Sequence, residues 1–153
     1  MARAPLQVLV FPYRFAEGGA LQFALFRRSD GAGDVWQAVS GGAEDDETPE
    51  AAARREMNEE AGIPRDADLT ALDARASVPA HGFAASALWS PDVYVVPEYA
   101  FGVALPADAQ LILSSEHTEH RWLAYDDARA QLTWDSNKVA LWELNTRLLR
   151  ARA

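Results

Sequence analysis

Acidic side chains at fixed spacing, with one arginine among them and glycines on either side, carry most of the chemistry this sequence can offer. From Gly41 to Ile63 it runs GGAEDDETPEAAARREMNEEAGI. The pattern is G-x5-E-x7-R-E-Φ-x-E-E-x-G-Φ, with Φ aliphatic or Met, and its positions are Gly41, Glu47, Arg55, Glu56, Met57, Glu59, Glu60, Gly62 and Ile63. A chance match to the single-residue demands is on the order of one in a million, taking each type at roughly 7%. At about 3.6 residues per turn, Glu56, Glu59 and Glu60 share one helix face. Three carboxylates so placed repel one another unless a cation sits among them. Oxygen ligands without a thiol point to a hard divalent ion, Mg2+ with Mn2+ as a substitute, rather than to zinc. The bland alternative is an acidic helix face that is merely solvated.

The elements that must position these groups are legible around them. Thr48 suits an N-cap, Pro49 the first helical position and Glu50 the positive helix end. Ala51, Ala52 and Ala53 favour helix, which is predicted to run to about Ala61, with Gly62 as a left-handed stop. Arg55 can hold Glu47 or Glu59 and so orient the cluster. Gly41 and Gly42 let the preceding loop pass close to the metal.

The same stretch resembles the signature of the Nudix hydrolases, which cleave a nucleoside diphosphate linked to another group. The resemblance implies an α+β fold, an α/β/α sandwich with a mixed central sheet between helices. It implies that Glu56, Glu59 and Glu60 ligate metal, joined by a backbone carbonyl at Ser40 or Gly41, and that Glu47 and Arg55 pair. A further Glu outside the signature binds metal or takes the proton from water in many relatives, and Glu116 matches that loop. The implied reaction is in-line attack of water on phosphorus, with Glu116 or Glu56 as base and no covalent nucleophile.

Shorter matches extend the resemblance over about Leu6 to Leu149. Val35-Trp36-Gln37-Ala38-Val39-Ser40-Gly41, Ser115-Glu116-His117, His120-Arg121-Trp122-Leu123 and Trp134-Asp135-Ser136-Asn137-Lys138 are similar to segments of the bacterial dihydroneopterin triphosphate pyrophosphatases. They imply a Mg2+-dependent enzyme that converts a nucleoside or pterin triphosphate to a monophosphate and pyrophosphate. ADP-ribose, nucleotide-sugar or dinucleoside polyphosphate cleavage, sanitation of oxidised nucleotides and nucleotide sensing without turnover stay open, as does a homodimer.

Five further residues are candidate substrate contacts. Arg27 and Arg28 end a strand and can grip phosphate, or they are ordinary edge residues. Trp36 can stack on a purine or pterin ring, or lie in the core. Asn137 and Lys138, at a helix start, can read a base edge or a phosphate, while capping by Ser136 or Asp135 explains that segment equally well. For His117 and His120, a loop-and-strand setting disfavours a metal pair. His81 has no evident partner.

Composition sets the frame. The chain has 153 residues, 49% hydrophobic, with five Trp and no Cys. One domain over 1–153 with a substantial core is predicted. Disulfides and thiolate zinc sites are excluded. A net charge of −9 argues against nucleic-acid and anionic-membrane binding. Any polyphosphate substrate therefore needs cations supplied locally. The apolar run near the start is strand-like, neither signal peptide nor membrane span, so a cytoplasmic protein is expected.

Strands are predicted at Leu6–Tyr13, Ala20–Phe26 after a Gly18-Gly19 turn, Val35–Val39, Leu69–Pro79, Tyr94–Leu105 and Glu119–Leu123. Pro97 suggests an edge or bend. A polar loop begins at Arg27 and runs through Gly33, and a second loop spans Ala80 to Pro91. Helices are predicted at Tyr125–Gln131 and Asp135–Leu149, the last one packing through Val139, Trp142, Leu144, Leu148 and Leu149.

Overall fold

A computed structural model describes residues 2–29 and 33–152. The polar loop expected after Arg27 falls outside the described residues at 30–32. Seven strands form one sheet: β1 (Arg3–Phe15), β2 (Leu21–Arg28), β3 (Trp36–Gln37), β4 (Val39–Glu44), β5 (Asp68–Pro79), β6 (Val95–Ala104) and β7 (His117–Leu123). The helices are α1 (Pro49–Ala61), α2 (Tyr125–Gln131) and α3 (Asp135–Arg152). The main path of the sheet is β3-β2-β1-β6-β5, with β4 paired to β1 and β7 to β2. The β1–β6 pairing is parallel and the others are antiparallel, so the sheet is mixed.

Alternation along the central strands makes two cores. Val8 and Val10 of β1, with Ala24 and Phe26 of β2, face α1 and pack with Ala53, Met57 and Ile63. Leu9 and Phe11, with Phe23 and Leu25, face the other way and pack with Ala128 of α2 and Ala140, Leu141 and Leu144 of α3. A period of two thus buries both faces of the sheet, as a sandwich requires. The expected α/β/α arrangement is what the chain adopts. Among the described residues, no helix is long and apolar enough to cross a membrane.

Several local expectations need adjusting. The predicted strand Val35–Val39 is split at Ala38, whose N–H donates to Asn137 Oδ1 at 3.0 Å instead of to a neighbouring strand. The glycines Gly41 and Gly42 lie in strand β4 against Val8 and Gln7 rather than in a loop. Pro97 pairs only on the β5 side, because the β1–β6 register begins at Gln7 and Glu98. The segment after β5 holds two short 3-10 turns, Ala80–Gly82 and Ala84–Leu88. The last helix packs through Asn137, Ala140, Leu141 and Leu144, an i, i+3, i+4, i+7 stripe. Val139, Trp142 and Leu149 point outward and are each more than half exposed.

Candidate active site

Helix α1 is set at both ends by its own sequence. Thr48 Oγ1 accepts the N–H of Ala51 at 3.2 Å, and Pro49 opens the first turn. Gly62 stops the helix at φ 70°, its N–H returning to Asn58. Between these ends, Ala52, Ala53, Met57 and Ala61 are fully buried against the sheet. Glu56 and Glu60 are therefore carried along the edge of the buried face, at 9% and 5% exposure, while Glu59 is more open.

Arg55 ties this helix to the strand and turn before it. Its Nε and Nη2 fork onto the two Glu47 carboxylate oxygens at 3.0 and 2.9 Å. Nη2 also donates to the Gly42 carbonyl at 2.8 Å. Nη1 reaches Glu56 at 3.0 Å and Glu59 at 3.2 Å, with Glu44 at 3.7 Å. Glu47 in turn accepts the Glu44 N–H at 2.8 Å. Its hydrogen bond from Arg55 holds Glu47 below the usual carboxyl range. The pairing of Glu47 with Arg55 is present in the fold, and Arg55 holds Glu59 as well.

The loop before β7 is pinned to the end of α1 by backbone bonds from Ile112 N–H to Ala61 O and from Ser114 N–H to Glu60 O. This brings Ser114, Glu116 and His117 to Glu60. Ser114 Oγ donates to Glu60 Oε2 at 2.7 Å and accepts the Glu116 N–H at 3.2 Å. His117 is buried with Nδ1 3.4 Å from Glu60 Oε2, and among the described residues that nitrogen makes no hydrogen bond. Burial opposes ionisation of Glu60, but the adjacent His117, Ser114 and Glu116 outweigh it and lower its pKa. Glu116 is raised, by burial first and then by the Glu60 charge. The two neighbouring carboxyls are thus shifted in opposite directions. Burial pushes Glu56 up to about 7 in spite of Arg55.

These groups line one cavity of about 710 Å3. Gly41, Arg28, Glu56, Glu59, Glu60 and Glu116 all reach its wall, as do Arg3, Phe83 and His117. At Gly41 a Cβ would collide with the Glu56 carboxyl, so glycine is what lets β4 lie against that carboxyl. The donor set suits a hard divalent cation: carboxylates and a strand carbonyl, with no thiol in the chain. Burial raises both Glu56 and Glu116, and neighbouring carboxylates add to the shift, so a cation bound here would offset negative charge in a poorly solvated place. Among the described residues, no three acidic or histidine side chains already close on one point. Glu56 leans on Arg55, and Glu60 on Ser114.

Four expected substrate contacts lie elsewhere. Arg27 is engaged by Asp34 at 3.1 Å and Glu119 at 3.2 Å. Trp36 is 1% exposed in the core under α2 and α3, so its ring offers no free face. Asn137 is buried, and its amide oxygen accepts the Ala38 N–H. Lys138 sits by Asp135 at 3.9 Å, in a separate shallow depression with Trp142. Arg28 alone of the five reaches the cavity. Conversely, Arg3, Ser114 and Phe83 carry no signal in their spacing. His117 had one, as the neighbour of Glu116.

Comparison with known proteins agrees with this geometry. The NUDIX domain family matches residues 5–142. The dihydroneopterin triphosphate diphosphatase of Escherichia coli K12 is 33% identical over 141 residues, 91% of each chain. A crystal structure of a NUDIX hydrolase from Listeria monocytogenes is 44% identical and superposes with a TM-score of 0.84 over 97% of each chain. The octanoyltransferase of Myxococcus xanthus is 31% identical over 131 residues, 86% of this chain, which spans only 34% of that longer protein. The chain belongs to the NUDIX family.

Proposed function

We propose that this NUDIX chain, a hydrolase of phosphoanhydride bonds, is a Mg2+-dependent diphosphohydrolase that cleaves a nucleoside or dihydroneopterin triphosphate to the monophosphate and pyrophosphate. The observation that carries the reading is the single cavity onto which Glu56, Glu59, Glu60 and Glu116 all open. The choice of a triphosphate is supported by likeness to the E. coli diphosphatase along 91% of both chains.

In this reading Glu56, Glu59 and Glu60, with the carbonyl of Gly41, would hold the ion, and Glu116 would join them from the loop pinned to the end of α1. Mg2+ or Mn2+ bound there would offset phosphate charge and acidify a water. Arg55 keeps the carboxylates of α1 in register with β4. Ser114 and His117 fix Glu60 in its ionised form. Glu116 or Glu56 accepts the proton of the attacking water, since both carboxyls have raised affinity for a proton. Water attacks phosphorus in line, and the bridging oxygen leaves on the pyrophosphate side.

Glu60→Gln tests this directly. The substitution keeps the acceptor for Ser114 but removes a charge. Turnover with Mg2+ should fall by about two orders of magnitude or more, while the circular dichroism spectrum and melting temperature stay near those of the parent. Near-parental turnover in a folded Glu60→Gln protein would overturn the assignment of the carboxylates.

A further inference from the structure

The cavity has one wall that the reaction above leaves unused. Arg3, at the start of β1, lays its side chain across Gly42, where any Cβ would collide with the guanidinium. The guanidinium lies 5.1 Å above the centre of the Phe83 ring. Phe83 is 6.1 Å from Trp89, and Trp89 Nε1 donates to the Arg3 carbonyl at 2.7 Å. The segment after β5 thus grips Arg3 by its side chain and by its backbone.

Among the described residues, no carboxylate lies within ion-pair distance of this guanidinium, although the Glu56 charge acts on it from farther off. Arg3 Nη2 donates to the neutral Gln7 amide at 2.6 Å. Its Nε is buried with no hydrogen-bond partner among the described residues. Removing a guanidinium from water without a counter-ion is costly, and a ligand that brings the anion relieves that cost. Burial already presses the Arg3 pKa down, with the Glu56 charge offsetting part of the effect. Gly42 beneath Arg3 adjoins Gly41, which touches Glu56. The fork is therefore next to the carboxylates rather than at a remote rim.

We propose that Arg3, braced by Phe83 and Trp89, is a phosphate-binding residue of this cavity and takes non-bridging oxygens of the pyrophosphate portion of the substrate. The proposal rests on the triphosphate reading. A guanidinium that lines the cavity, with no carboxylate paired to it among the described residues, suits phosphate oxygens. The Phe83 ring, also on the cavity wall, braces the guanidinium by a cation–π contact. Because Phe83 belongs to the segment after β5, that segment tunes phosphate affinity through Arg3.

Calorimetric titration of the whole protein with inorganic pyrophosphate, at fixed Mg2+, tests the assignment. Arg3→Met should weaken binding about tenfold or more, the loss of a charged hydrogen bond. Arg3→Lys should recover part of that loss, because the charge returns without the fork. Phe83→Leu should weaken binding by a smaller factor. Melting temperatures are recorded alongside, and if Arg3→Met does not fold, Arg3→Lys is the deciding variant, with severalfold weaker binding expected. Parental affinity in the deciding variant overturns the proposal and makes Arg3 a packing residue. If the parent protein itself does not bind pyrophosphate, the triphosphate reading fails first and the role of Arg3 falls with it.

Discussion

Arg55 and Arg3 line the same cavity, one at the α1 wall and one at the wall built by β1 and the segment after β5. Their partners could hardly differ more. Arg55 meets Glu44, Glu47, Glu56 and Glu59 within 4 Å, and a carbonyl as well. Arg3 meets an amide, a ring and a glycine. Identical side chains are thus put to opposite uses. The charge of Arg55 is spent within the fold, where it fixes the geometry of four carboxylates. Arg3 has no carboxylate at ion-pair distance among the described residues, and under the proposal above its charge serves an anionic ligand in a chain of net charge −9.

The contrast can be broken most sharply at Arg55. Arg55→Met leaves Glu47 and Glu56 without their counter-ion, a loss of about 3–5 kcal/mol for a buried pair. In a domain of this size that is about 10 °C in melting temperature, and catalysis should fall with it. Arg3→Met removes no ion pair and should cost far less thermal stability. A melting temperature no lower for Arg55→Met than for Arg3→Met would erase the distinction between the two arginines.

A smaller effect appears with pH within the Arg55 wall. Glu56 titrates at about 7 in the fold and has an ordinary value of 4.5, so between these values the folded state binds more protons than the unfolded one. Its contribution to stability is complete below about 4.5 and is lost as pH rises through about 7, at most about 3 kcal/mol. Glu116 is raised as well and acts in the same direction. Glu47, held low by Arg55, acts oppositely: its contribution is lost only as pH falls below the ordinary carboxyl value. The melting temperature without divalent ion should therefore decline from pH 5 to pH 8, and Mg2+ should recover more of it at pH 8, where the carboxylates are ionised. A melting temperature that is flat or rising over that range would contradict the crowding of charge on the α1 wall.

The same two walls show what a sequence can disclose. The α1 wall rests on local signals: the Thr48 cap, Pro49, the alanines and the left-handed Gly62 act within a few residues of one another. Helix α2 and the central strands were legible for the same reason, since a period of two or of about 3.6 is written in the chain. The opposite wall depends on which face of the sheet a residue meets and on what crosses it from far away. Trp36 was ambiguous until the sheet put it under α3. Asn137 became an acceptor for a backbone N–H only because Ala38, in the break between β3 and β4, needed one. On helix α3, Leu144 packs over Gly102, where any Cβ would lie 2.6 Å from Leu144 Cδ1, while Val139, Trp142 and Leu149 face outward. Arg3 and Phe83 are 80 positions apart in the numbering, and no spacing rule joins them.

Product identification bears most directly on the central claim. The protein is incubated with Mg2+ and, separately, dihydroneopterin triphosphate, each deoxynucleoside triphosphate, ADP-ribose and dinucleoside polyphosphates, and the products are resolved. The account expects pyrophosphate and a monophosphate from at least one triphosphate. Cleavage of ADP-ribose or a dinucleoside polyphosphate alone, with every triphosphate left intact, would contradict it.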